Sequence, residues 1–163
     1  MELRVPKVTL TAAHAKISKV KVGDILPDFR MAGAQGNEQS LSELAGKNLT
    51  VVCFLDGRNP HAVDEFGDLE PHVARPYASR GLNVVAIQEG KTSIARAAKT
   101  GKISFPVLVD RNGQAFKQVA SGKLPRTYLI DGSRQVIWFD LEYSRTTRRD
   151  LAEAIEASLK DKP

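Results

Sequence analysis

The run Val51-Val52-Cys53-Phe54-Leu55 carries no polar side chain, the pattern of a central strand buried on both faces. It breaks at Asp56-Gly57. Asn59 and Pro60 then supply helix-start chemistry, an N-cap side chain followed by proline at the first helical position. From Pro60 to Ser79 the apolar residues Val63, Phe66, Leu69, Val73 and Tyr77 recur at helical spacing, so one face is apolar. Pro71 predicts a kink in this helix, and Pro76 an early or bent end.

The rest of the chain repeats the theme of buried strand and covering helix. Leu82 to Ile87 reads as a second buried strand, Ser93 to Thr100 as a short helix ended near Gly101, and Phe105 to Val109 as a third strand closed by the turn 110–113. Thr127 to Asp131 is a fourth strand, turned by Gly132-Ser133 into an antiparallel partner over Gln135 to Phe139. Arg148 to Leu159 places Leu151, Ile155 and Leu159 in line on a last helix. Upstream, residues 1–21 form a basic arm, with Val8 and Leu10 suggesting a short strand. Asp28 to Met31 reads as extended and 33–39 as turn-rich. Ser40 caps a single helical turn closed by Gly46. The order predicts an α/β fold, a central mixed sheet flanked by helices on both faces.

At 163 residues the chain is sized for one domain with its own core. Its 24 basic and 19 acidic residues are well mixed, and no nucleic-acid recognition motif accompanies the net charge of +5. No stretch reaches the ~18 apolar residues of a membrane-spanning helix. Residues 1–22 mix Lys, Arg, Glu and His among apolar positions and do not read as a signal-peptide core. A single cysteine excludes an internal disulfide, a CxxC pair and an all-cysteine zinc site. Three scattered histidines, His14, His61 and His72, lack carboxylates at ligand spacing, so neither metal nor cofactor is expected.

Four phrases, Val22 to Phe29, Leu41 to Phe54, Phe105 to Gly113 and Leu124 to Asp131, stand in an order and spacing that resembles the thioredoxin-fold redoxins. The similarity is greatest to the TlpA/ResA-like thiol–disulfide proteins and the related AhpC/TSA group. It implies a thioredoxin-like fold over residues 22–163, with 1–21 as an arm. It also implies relatives that often work outside the cytoplasm. In such proteins the strand equivalent to Val51 to Leu55 leads into a WCxxC site. Here Arg58 takes the tryptophan position, Asn59 and Ala62 the two cysteine positions, and Pro60 and His61 the middle pair. The glutamate that often follows falls on Glu65. Resemblance further implies a cis bond at Leu124–Pro125, facing the helix start.

Disulfide exchange needs an attacking thiolate and a resolving thiol, and this frame has neither. Cys53, inside the strand, reads as a buried small hydrophobe rather than a nucleophile. The expectation is a redox-inactive binding or structural module. Its candidate groove is lined by Arg58, Asn59, Pro60, His61, Ala62, Leu124, Pro125 and Arg126, with Lys123 close by and Asp56 and Asp64 available to neutralise the arginines. A protein or extended peptide partner suits that groove. Two alternatives stand beside it: the family's thiol–disulfide oxidoreductase or antioxidant activity, and a non-thiol enzyme using His61 with Glu65 or Asp64. Oligomeric state is not legible.

Overall fold

The computed structural model describes residues 2–34, 36–90, 93–99, 101–122 and 125–163. Five strands form the central sheet: β3 (Leu49–Leu55), β4 (Leu82–Glu89), β5 (Val107–Asp110), β6 (Arg126–Asp131) and β7 (Val136–Leu141), in the spatial order β5-β4-β3-β6-β7. The pairs β3–β4 and β4–β5 are parallel; β3–β6 and β6–β7 are antiparallel. Every residue of β3 is buried, as a strand at the centre of a two-sided sheet requires. A small hairpin of β1 (Arg30–Ala32) and β2 (Glu38–Ser40) sits beside β5.

Two apolar cores cover the sheet. On one face Val51, Cys53 and Leu55 meet Phe66 and Leu69 of α3 (Pro60–Leu69) and Leu151, Ile155 and Leu159 of α7 (Arg145–Leu159). On the other face Val52, Phe54 and Tyr128 pack under Leu41 of α2 (Leu41–Leu44) and Val119 of α6 (Phe116–Val119). The turn α2 starts with a reciprocal cap, Ser40 accepting from the Glu43 N–H while the Glu43 carboxylate accepts from Ser40. Gly46 is required for close approach rather than for helix termination. A Cβ there would strike the Leu49 carbonyl and lie 2.7 Å from both the Asn83 nitrogen and the Gly81 carbonyl.

The long helix leaves regular α geometry around Pro71, and it runs on through Pro76 rather than ending there. After Leu69 the chain makes one π turn, Glu70–Ala74, in which the Arg75 N–H bonds the Glu70 carbonyl five residues back. A last α turn, α4 (Arg75–Tyr77), tightens into a 3₁₀ turn, Ala78–Arg80, before Gly81 ends it in the left-handed region at φ 82°.

Three local expectations are corrected. Val8 and Leu10 lie in no strand; their side chains pack against the cores, and Thr11 caps a short helix α1 (Ala12–Lys16) instead. The helix α5 (Ile94–Ala98) ends at Lys99 in the left-handed region, ahead of Gly101. The turn after β5 continues into α6, because the Asp110 carboxylate accepts the Ala115 and Phe116 N–H groups at 2.9 and 3.0 Å and so starts a helix.

Candidate functional site

The start of α3 is built by Asn59 and Pro60, the first of which the resemblance sets at a cysteine position. The Asn59 side chain accepts from the His61 N–H at 2.9 Å, and Pro60 occupies the first turn, where its missing N–H leaves no bond unmade. Ala62 is fully buried in the core beneath. Antiparallel pairing of Phe54 with Arg126 brings this helix start and Pro125 to the same end of the sheet. Leu124, Lys123 and the expected cis bond lie outside the described residues.

Around that frame the candidate residues divide. Pro60 and His61 are exposed, and among the described residues no carboxylate is hydrogen-bonded to the His61 ring. Arg58 is exposed but engaged: its Nε and Nη2 bind the Asp56 carboxylate as a fork at 3.0 Å each, and Nη2 also reaches Glu89 at 3.1 Å. Pro125 is buried, and its carbonyl accepts from the Glu142 N–H at 2.9 Å. Arg126 is corrected outright. It is 0% exposed and points into the core on the far face of the sheet, so it forms no part of a cationic rim. Strand alternation explains this, since β6 is a central strand with no exposed face.

The polar chemistry near the frame lies one layer deeper. Cys53 and Thr127 are opposite one another on β3 and β6, and Thr127 is opposite Asp140 on β7, so the three form a row across one face. Glu65, on α3, sits on that row and is 2% exposed. Its Oε1 accepts from the Thr127 hydroxyl and, at 3.6 Å, from the Cys53 thiol, while Oε2 has no partner among the described residues. Burial pushes the Glu65 carboxyl up to about 7. The Thr127 and Cys53 hydrogen bonds oppose this, and the Asp140 and Asp68 carboxylates add to it. Burial, with the Glu65 carboxylate beside it, pushes the Cys53 thiol well up as well.

Two flanking pairs complete this acidic row. Tyr143 donates to Asp68, which Arg148 also approaches at 3.4 Å; Thr147 donates to Asp140 at 2.9 Å. The sequence marks Glu65 by resemblance and as a partner for His61, but the structure turns it to Thr127 and Cys53 instead; the sequence gives no sign of Thr127, Asp140 or Tyr143. The signal available was register: the strand paired with β3 must set a side chain against Cys53. Among the described residues no group of three or more His, Cys, Asp or Glu is placed to hold a metal, and no helix is long and apolar enough to cross a membrane.

Comparison with known proteins agrees with this geometry. The family model described as AhpC/TSA family matches residues 22–139. The thiol-disulfide oxidoreductase ResA of Geobacillus kaustophilus is 29% identical over 121 residues, 72% of this chain and 67% of that protein. ResA of Geobacillus thermodenitrificans is 27% identical over 142 residues, 85% of this chain and 78% of that protein. Among solved structures, a candidate thiol:disulfide interchange protein DsbE from Chlorobium tepidum superposes with a TM-score of 0.76 at 20% identity, covering 86% of this chain and 99% of that one.

Proposed function

Because this chain belongs to the AhpC/TSA family and yet holds no thiol at either position of the redox motif, we propose that it serves as a binding module built on a retired redox site. The observation that carries the reading is the fate of Asn59. Its side-chain oxygen is committed to capping α3 at the position where a nucleophilic sulfur would use the same N–H groups. The remaining thiol, Cys53, lies in the sheet with no exposed surface, so it takes over neither role. The degenerate site keeps its fold and loses its reaction.

The surface this leaves consists of Arg58, Pro60 and His61, with Asn59 between them and Pro125 behind. Exposed proline and histidine on a rigid helix start, beside a neutralised arginine, suit a protein partner that reads shape more than charge. Purified protein should neither reduce insulin nor consume peroxide beyond the rate of a Cys53→Ala variant. Activity that vanishes when Cys53 is blocked would sink the reading. Titration with an extended peptide, followed by residue-resolved NMR shifts, tests the surface itself. Shifts should cluster at Arg58, His61 and their neighbours, and shifts confined elsewhere would move the binding face.

A further inference from the structure

Adjacent residues of β6 carry two buried ionisable groups to opposite faces, and they meet different ends. On one side Thr127 holds Glu65, an acid that can shed its charge by binding a proton. On the other lies the Arg126 guanidinium, a group with five donors and no acceptor. The residue is 0% exposed. Nη1 donates to the Ser18 hydroxyl at 2.9 Å, a neutral partner. Nε and Nη2 make no hydrogen bond of ordinary geometry among the described residues; the buried Tyr128 hydroxyl lies close enough to interact with the guanidinium but makes no well-formed bond either. The Phe116 ring lies 6.0 Å from the guanidinium carbon and offers only a weak cation–π contact. No acidic side chain among the described residues pairs with Arg126.

The surroundings enclose this charge. Phe54 and Leu141 flank Arg126 in register on the neighbouring strands. Above it the N-terminal segment is tied down by main-chain bonds, Lys19 N–H to the Val119 carbonyl at 2.8 Å and Ser121 N–H to the Ile17 carbonyl at 2.9 Å. An isolated buried cation costs several kcal/mol unless a counter-charge and hydrogen bonds accompany it. Two unpartnered guanidinium donors, Nε and Nη2, lie here with the Tyr128 hydroxyl beside them, and Arg126 lines none of the surface hollows of 320–570 Å³.

We propose that Arg126, Tyr128 and Ser18 form a buried site for one small monovalent anion of the chloride class, enclosed by residues 17–20. The anion supplies the missing counter-charge and accepts from donors that lack any other acceptor. Binding couples the N-terminal segment to the sheet, because Ser18 orients the same guanidinium that holds the ion.

The test compares unfolding in sodium chloride and in sodium gluconate at constant ionic strength, so that general screening is equal in both. Unfolding of the wild type should release about one chloride, lowering the unfolding constant about tenfold per tenfold chloride above saturation. Arg126→Met should abolish the difference. Crystals grown in bromide should show anomalous density against Nε and Nη2 of Arg126. Equal stability in chloride and gluconate, together with no bromide density at the guanidinium, overturns the proposal. So does a chloride effect that survives intact in Arg126→Met, since the ion then binds elsewhere. Where that variant does not fold, the bromide density of the wild type decides alone.

Discussion

Cys53 and Glu65 illustrate how one position settles what a neighbour can do. A thiol hydrogen-bonded to a buried carboxyl, with no exposed surface and no cation beside it, has little thiolate to offer. Ellman's reagent should therefore titrate no thiol in the native protein and one in denaturant; rapid native labelling would contradict the burial. Glu65 has the opposite consequence for stability. Its folded value is raised, so folding favours the protonated form, and its contribution is complete below the unfolded value of about 4.5. The contribution is lost as pH rises toward about 7, a change of ~3 kcal/mol, and is flat above that. Asp140, half-buried in the same row and likewise raised, adds a change of the same sign. Chemical denaturation across this range should show stability falling with pH, and Glu65→Gln should remove most of the slope. An unchanged slope in that variant would assign it to other groups.

Among the elements, β3 was legible because its run Val51 to Leu55 is unbroken by charge, and the irregular turn at Glu70–Ala74 because Pro71 acts locally. What escaped was set across space. The helix α6 is started by a carboxylate five and six residues upstream, on the preceding strand, and no local pattern in Phe116–Val119 announces it. Arg126 was read as a surface arginine because most arginines are; only its place in a central strand, beside Phe54 and Leu141, shows otherwise. The frame at Asn59 was legible, since capping depends on residues one and two positions away. Asn59→Ala should lower stability by ~1 kcal/mol in urea or thermal melts, the usual cost of a lost cap. No loss would mean that the cap contributes nothing net.

At the scale of the whole molecule, a redox fold persists here without its reaction. The chain belongs to the AhpC/TSA family and carries Asn59 and Ala62 where the resemblance sets the two cysteines, so restoring both tests how much of that chemistry the frame can still support. The double variant Asn59→Cys with Ala62→Cys should form a disulfide in oxidant and reduce insulin measurably, where the wild type does neither. If the variant folds and its disulfide forms without any exchange activity, the loss extends beyond the cysteines. The π turn at Glu70–Ala74 has a consequence of another kind. An added residue within a helix advances everything after it by about 100°, so this segment is counted in angle and not in length. Removing one residue from it would still let the chain span from α3 to β4, but would swing Tyr77, now packed toward the core with Arg80 against its ring, away from the sheet. The interval from residue 60 to residue 81 is therefore fixed by phase, and a homologue that lost a residue there would have to re-face its second half or lose it.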